Sequence, residues 1–283
     1  ECLVGSGDVY KRQENITSDI VKIYLNNVNI ETSAGPALLI SQNVTAKVYI
    51  YLEGNNFLTT TDGDSAALQK NNVANANDSA NLIINTCPTN SGNLTAMASY
   101  SYGAGIGGGS GAPNSSSGTG SNISISGGSV TASSTYGAGI GGGYYSTGRD
   151  ISISGGSVTA SSYYGAGIGG GTYGAGSNIS ISGGSVTASS ADKGAGIGGG
   201  GHHSDGSNIS ISGGSVTASS GIGGGRDGAG SNISISGGSV NANIIGCKPT
   251  LYSVTTGAVN PKVYLCKILN RESAEITIDA VSY

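Results

Sequence analysis

Apolar and polar residues alternate one by one in a phrase that recurs through the middle of the chain. In its first copy, NISISGGSVTAS at residues 122–133, Ile123 and Ile125 are separated by serine, and Val130 and Ala132 are separated by threonine. A period of two puts every second side chain on one face, so each half of the phrase predicts a half-buried β-strand rather than a helix. The two glycines between the halves indicate a tight corner, because glycine adopts positive φ at little cost.

This phrase alternates with a second motif, GIGGG. GIGGG occurs five times, and the phrase occurs five times with small changes. The isoleucines of GIGGG are Ile106, Ile140, Ile168, Ile197 and Ile222, and those that open ISISGG are Ile123, Ile151, Ile179, Ile209 and Ile233. Periods of roughly 24 to 34 residues indicate a repeat architecture, in which one copy cannot bury its apolar face alone. The sequence therefore predicts an all-β fold, a single-stranded parallel β-helix (β-solenoid) with one copy per coil. By analogy with other β-helices, we expect it to be right-handed.

Less regular copies of the same pattern precede the glycine-rich ones. Aligning Leu25 with Leu52 places asparagine-rich corners where the later copies have Gly-Gly. PALLIS (36–41) and SAALQK (65–70) then take the position of GAGIGGG, the predicted third side of each coil. About eight coils result, three degenerate and five regular, and at a strand spacing of about 4.8 Å they form a rod roughly 40 Å long.

The two ends of the chain resemble translated sequencing adapter. Residues 3–13, LVGSGDVYKRQ, and residues 281–283, VSY, carry this resemblance, which leads us to expect an open fragment of assembled environmental DNA. The expected division of the chain is adapter at 1–13, degenerate coils at 14–99, regular coils at 100–243, a small β cap or the truncated start of a next module at 244–280, and adapter at 281–283.

Composition and charge restrict the classes of partner. The chain has 52 glycines, one Phe, no Trp, 10% charged residues and a net charge of −4. Such a composition is common in disordered segments, but strict alternation of apolar and polar residues favours a folded solenoid. Without a basic cluster we expect no nucleic acid partner, and without an apolar run of roughly 18 residues we expect no membrane span.

Catalytic and cofactor chemistry have little support in the repeats. Residues 100–243 contain seven charged residues, four of them Asp, whereas glycoside cleavage needs a facing pair of carboxylates. GAGIGG matches the dinucleotide motif GxGxxG but is followed by no helical pattern, so no cofactor is expected. His202, His203 and Asp205 occur together in one copy only and are interpreted as a polar loop rather than a metal site.

Tyrosines are the first candidate binding residues. Three of them, Tyr102, Tyr136 and Tyr164, directly precede GAG, and an exposed tyrosine offers an apolar face and a polar tip to a sugar ring or another chain. The alternative is that they cover backbone thinned by glycine. The full candidate aromatic column is Tyr102, Tyr136, Tyr164, Tyr144, Tyr145, Tyr163 and Tyr173, and we expect Tyr24 and Tyr51 in equivalent outward positions.

Hydroxyl side chains are the second candidate. In-register stacking would place Ser and Thr of SVTAS one above another in a flat ladder, which resembles the surface of ice-binding solenoids; the alternative is ordinary solvated side chains. The candidate ladder consists of Ser129, Thr131, Ser157, Thr159, Ser185, Thr187, Ser215 and Thr217. The Asn-x-Ser motifs at Asn122, Asn178, Asn208 and Asn232 belong to the repeat phrase and are interpreted as outward polar positions rather than glycan acceptors.

The cysteines leave the redox environment open. Cys247 and Cys266 are a possible disulfide or two free small hydrophobic side chains. Cys87 has no evident partner, and Cys2 adjoins the adapter-like end.

The series of phrases resembles a known kind of module. GAGIGGG and NISISGGSVTAS, preceded by LNNVNI, PALLIS and VYIYLEGNN, are similar to the glycine-rich β-helix modules of bacterial secreted or wall-attached proteins, often labelled carbohydrate-binding domain-containing. The resemblance implies an extracellular, non-catalytic module that serves adhesion or binds polysaccharide, surface glycan or other surface proteins. The alternatives are a structural stalk, a polysaccharide-acting enzyme and an ice-binding solenoid.

Overall fold

Three parallel β-sheets run along the chain, and each coil passes through them in the order A, B and C. The computed structural model describes residues 9–12, 20–41, 44, 46–70, 82–87, 91–111, 118–243, 245, 252–254 and 258–259. Strands are numbered in chain order. Sheet A contains β1 (Val9–Arg12), β2 (Ile20–Asn26), the first half of β5 (Lys47–Thr60), β7 (Leu82–Thr86), β10 (Gly120–Ile125), β13 (Gly148–Ile153), β16 (Gly176–Ile181), β19 (Gly206–Ile211), β22 (Gly230–Ile235) and β24 (Tyr252–Val254).

The other two sheets follow in the same order along the rod. Sheet B contains β3 (Asn29–Thr32), the second half of β5, β8 (Gly92–Ala98), β11 (Ser129–Ser134), β14 (Ser157–Ser162), β17 (Ser185–Ser190), β20 (Ser215–Ala218), β23 (Ser239–Ala242) and β25 (Ala258–Val259). Sheet C contains β4 (Leu38–Ile40), β6 (Leu68–Lys70), β9 (Ile106–Gly107), β12 (Ile140–Gly141), β15 (Ile168–Gly169), β18 (Ile197–Gly198) and β21 (Ile222–Gly223).

Identical positions of successive repeats pair with each other, which confirms the predicted β-solenoid. Ile123 is opposite Ile151, which is opposite Ile179, and the same register continues through β19 and β22. In the described part of the chain, seven coils contribute a strand to all three sheets. An eighth contributes β22 and β23, with a single bridge from Ile245 to Ile222.

The degenerate coils use the predicted alignment. Leu25 pairs with Leu52 in sheet A, and Leu38, Leu68 and Ile106 follow one another in sheet C. PALLIS and SAALQK therefore do occupy the position of GAGIGGG.

Both ends of the described chain extend the sheets. β1 pairs with β2 in antiparallel orientation, whereas the pairings between coils are parallel. After residue 243, β24 pairs with β22 and β25 pairs with β23 in the same parallel register. These short strands continue the coils of sheets A and B beyond the last glycine corner.

The interior of the rod consists of aliphatic columns. Ile123, Ile151, Ile179 and their equivalents are buried, and so are the valine and alanine of SVTA in every regular coil. Burying one such isoleucine contributes about 1.5–3 kcal/mol, so the repeated column is the main source of stability.

One cation lies among these aliphatic residues. Lys70, at the end of β6, is 1% exposed, and its Nζ donates a hydrogen bond of 2.9 Å to the carbonyl oxygen of Ser121. Burial and, to a smaller extent, the charge of Arg149 together lower the pKa of Lys70 from its ordinary value to about 8.

This lysine makes stability depend on pH. Between about pH 8 and the ordinary lysine pKa, the unfolded chain binds more protons than the folded one, so the free energy of unfolding should rise with pH, by about 2 kcal/mol between pH 8 and 9.5. Denaturant unfolding at several pH values measures the slope. Lys70→Met should remove this rise; an equal slope in the variant would contradict the assignment.

Candidate functional site

The tyrosines that precede GAG are held at the corner between sheets B and C. Coils are numbered in chain order, so that coil 1 contains β2, β3 and β4 and coil 4 contains β10, β11 and β12. In coil 4, Ser134 ends β11; its buried hydroxyl donates to the carbonyl oxygen of Gly103 in coil 3 and accepts from the N–H of Gly137. Ser162 repeats this arrangement in coil 5, at distances of 2.6 and 2.8 Å. The serine tightens the corner and leaves the tyrosine two residues later on the outside.

These tyrosines form a first stack of rings along the solenoid. The ring centroids of Tyr102 and Tyr136 are 4.8 Å apart and tilted by 30°, and those of Tyr136 and Tyr164 are 5.1 Å apart and nearly parallel at 9°. Spacings close to the strand separation follow from the register of the coils. Both faces of the Tyr136 ring are therefore covered by neighbouring rings.

A second stack lies beside the first, in the loops that lead from sheet C to sheet A. Tyr145 and Tyr173 have ring centroids 4.9 Å apart at 13°, and His202 continues the stack at 5.0 Å and 11°. All three residues have left-handed backbone, with φ of 56°, 63° and 54°. The middle ring, Tyr173, is again covered on both faces.

Tyr144 joins the two stacks. Its ring centroid lies 4.8 Å from that of Tyr102 and 4.4 Å from that of Tyr145, with inclined rings. Burial, followed by the hydrogen bond with Tyr145, raises the pKa of Tyr144 to about 12. The surroundings of Tyr144 therefore disfavour ionisation of its phenol.

Tyr163 differs from the other tyrosines of the cluster because its ring contacts that of a single neighbour among the described residues. Among the described residues its ring contact is an inclined one with Tyr164, at 4.6 Å and 65°, and its side chain is 53% exposed. The residues that flank it in the neighbouring coils are Thr135 and Ala191, which are small. A ring face of Tyr163 is thus accessible to a ligand.

Charges beside this cluster are balanced. Lys193 takes the place of the tyrosine in coil 6, and its Nζ lies 3.6 Å from the Asp192 carboxylate and 3.1 Å from Nε2 of His202. Asp192 lies beside Tyr163 in the next coil, where its N–H donates a hydrogen bond to the carbonyl oxygen of Tyr163. The surface around Tyr163 therefore carries a cation and an anion in contact, without a net charge.

Tyr24 and Tyr51 are in register with each other, but the prediction that they are equivalent to the tyrosines before GAG is wrong. Both lie in sheet A, where their rings stack at 5.1 Å, and Tyr51 also stacks on Tyr49 at 6.0 Å. The repeat period alone did not reveal that these tyrosines belong to a different side of the coil from the residues before GAG.

The predicted hydroxyl residues are brought into columns. Ser129, Ser157, Ser185 and Ser215 pair in register on the outer face of sheet B, and the threonines two residues later do the same. A parallel set that sequence reasoning missed lies on the outer face of sheet A: Ser124, Ser152, Ser180, Ser210 and Ser234. The alternation of Ile and Ser in ISIS was a sufficient signal, because it places these serines on the face opposite the buried isoleucines.

The asparagines of the Asn-x-Ser motifs form a ladder of amides. Asn178 donates to Asp150, Asn208 to Asn178 and Asn232 to Asn208, at 2.9, 3.1 and 3.0 Å. Together with Asn122, these residues have φ between 50° and 54°, a left-handed conformation that Asn and Asp tolerate better than other residues. The sequence signal for this ladder was that Asp150 replaces Asn at the same position in one copy of the repeat.

The remaining sequence predictions concern the cysteines, metal binding and membrane spans. Cys247 and Cys266 lie outside the described residues, so their pairing stays a prediction. Cys87 is disulfide-bonded, which corrects the expectation that it lacks a partner. Within the described ranges no three His, Cys, Asp or Glu side chains come together to hold a metal ion, and no helix is long and apolar enough to cross a bilayer.

Fold and surface together define a three-sheet parallel β-solenoid with a tyrosine cluster that extends from the corner between sheets B and C into the loops that lead from sheet C to sheet A. The family model described as a β-helix repeat matches four segments of it, residues 123–144, 151–172, 179–201 and 209–226. These segments each begin at the first isoleucine of ISISGG, so the comparison detects the same unit as the strand register. No curated protein and no solved structure matches the chain.

Proposed function

We propose that this β-solenoid is a non-catalytic, extracellular module that binds a neutral polysaccharide, with Tyr163 as the sugar platform. The observation that carries the proposal is the exposed ring of Tyr163, which has a face that no neighbouring ring covers. A pyranose presents a face of C–H groups and equatorial hydroxyls, which suits an aromatic face bordered by polar groups.

Other members of the cluster support this platform. The stacked rings of Tyr136 and Tyr173 have both faces occupied, so their contribution is to hold the corner in place rather than to receive a sugar. Tyr164 positions Tyr163 by the inclined ring contact. A rigid, preorganised aromatic side chain loses little conformational entropy when it binds.

Charge and cysteine chemistry agree with the proposed ligand and location. The Asp192 and Lys193 pair next to Tyr163 has no net charge, which favours a neutral sugar over a uronate. The disulfide of Cys87 favours an oxidising compartment such as the cell exterior. A catalytic role is not proposed, since residues 100–243 offer only seven charged side chains for acid and base chemistry.

Removing the Tyr163 ring should weaken glycan binding. We expect Tyr163→Ala to lower the affinity for the best neutral polysaccharide by about tenfold or more, because about 1.4 kcal/mol or more of stacking energy is lost. Binding is measured on immobilised β-glucan, chitin and mannan. Tyr163→Phe, which keeps the ring, and Tyr24→Ala, which alters a distant tyrosine in sheet A, are the matched controls and should bind within about threefold of the original protein.

A structural stalk is the second candidate. It is favoured by the continuous stacking of Tyr102, Tyr136 and Tyr164, which stabilises the corner without needing a ligand. If none of the three polysaccharides binds, the stalk is the better assignment.

A further inference from the structure

A second exposed tyrosine lies two coils from Tyr163 at the same corner. In coil 4, Thr135 accepts at its Oγ1 a hydrogen bond of 3.0 Å from the N–H of Tyr100 in coil 3. On its other side, the carbonyl oxygens of Ser134 and Thr135 accept from the N–H groups of Tyr163 and Tyr164 in coil 5, at 3.1 and 3.0 Å. Thr135 therefore lies between Tyr100 and Tyr163 along the solenoid axis.

These two are the most exposed tyrosines among the residues whose side chains the structure describes. Tyr100 is 85% exposed and Tyr163 is 53% exposed. Tyr100 belongs to a two-residue insertion after β8, relative to the later coils, and has a left-handed φ of 57°. The insertion places an additional aromatic residue beside Thr135, a small residue of coil 4.

The separation of the two tyrosines is set by the coils. Two coils correspond to about 9–10 Å at a strand spacing of 4.7–4.9 Å. In an extended β-1,4-linked polysaccharide, successive sugars are turned by about half a rotation, so every second sugar presents the same face, at a repeat close to this separation. An α-1,4-linked chain coils and does not keep that repeat.

We propose that the ligand is an extended, neutral, β-1,4-linked polysaccharide that lies along the solenoid axis, with alternate sugars on Tyr100 and Tyr163. This inference rests on the proposed function of Tyr163 and adds the linkage, the direction of the chain and a second platform. The sugar between the two platforms passes over Thr135, whose hydroxyl accepts from Tyr100 and retains its own proton to donate to the ligand. The balanced Asp192 and Lys193 pair at the coil 6 end suits an uncharged polymer.

Chain length is the decisive variable, because a ligand must contain three sugars to reach both platforms. Calorimetric titration of the whole chain with β-1,4-linked glucose oligosaccharides of one to six units should show an affinity increase of about tenfold or more between two and three units. Tyr100→Ala should abolish this increase, so that the variant binds the trisaccharide about as weakly as it binds the disaccharide. Tyr100→Phe should retain it, and an α-1,4-linked glucose hexamer should bind no more tightly than the disaccharide.

The outcomes separate the two proposals. Binding that depends on Tyr163 but shows no increase at three units, or an increase that persists in Tyr100→Ala, overturns the axial β-1,4 assignment and leaves Tyr163 as a single platform. Equal binding of the α-linked hexamer overturns the linkage in the same way. If no oligosaccharide or polysaccharide binds the original protein, both proposals fail. Circular dichroism of each variant verifies that the β-solenoid is intact.

Discussion

Replacing Gly169 by alanine is expected to lower the free energy of unfolding by about 3 kcal/mol or more. Gly169 ends β15 in sheet C and has a φ of 134°, which side chains other than glycine rarely adopt, and a Cβ there would overlap the carbonyl oxygen of Gly198 in the next coil. Backbone strain of this kind costs about 1–3 kcal/mol, and the overlap adds the cost of separating two coils. Guanidinium unfolding followed by circular dichroism measures the loss.

Gly63→Ala is the matched control for this prediction. A Cβ on Gly63 would meet no atom within 4 Å, and its φ is not in the positive region, so stability should change by less than about 0.5 kcal/mol. If both alanine variants unfold at the same denaturant concentration, close packing of glycine between coils is not a source of stability.

Ile179→Ala is expected to cost about 2–5 kcal/mol, because it removes a buried side chain from the middle of the aliphatic column. Ile179 is fully buried in β16 and pairs with Ile151 on one side and Ile209 on the other, so a cavity there has rigid walls in both neighbouring coils. Thermal and denaturant unfolding, with hydrogen exchange along the coils, measure the size and the position of the loss.

The neighbouring residue supplies a control in the same strand. Ser180 is exposed on the outer face of sheet A, and Ser180→Ala should change the free energy of unfolding by less than about 0.5 kcal/mol. Since each coil contacts only its neighbours, exchange in Ile179→Ala should increase most in coils 5 to 7 and least in the first coils. A uniform increase over the whole rod would contradict the nearest-neighbour description.

The fold was predictable because a single pattern recurs with a fixed period. Alternation in ISIS and SVTAS defined two strands, the repeated GIGGG defined the third, and stacking followed from the need to bury Ile123 and its equivalents. Even the degenerate coils were aligned correctly, since Leu25 and Leu52 have the same position relative to their corners.

The surface was less predictable because it depends on corners and loops that vary between coils. Sequence reasoning placed Tyr102, Tyr136 and Tyr164 at one repeat position, but it could not show that their rings stack and cover one another. Tyr163 became distinct only when the small residues of the neighbouring coils were known. Tyr100 was left out of the candidate set because its insertion hides its position in the repeat.

In-register pairing has a consequence for how such a gene changes. The segments that begin at Ile123 and Ile151 each run for 28 residues before the next isoleucine of the series (151 − 123 and 179 − 151), and they present the same residues to their neighbours. Loss or duplication of one such segment by unequal recombination would rejoin matching surfaces, and the rod would become shorter or longer by one rung without a new interface. The length of the rod can therefore change without a change in how it folds. The distance between two surface tyrosines on either side of the added or lost coil would, however, change in a single step.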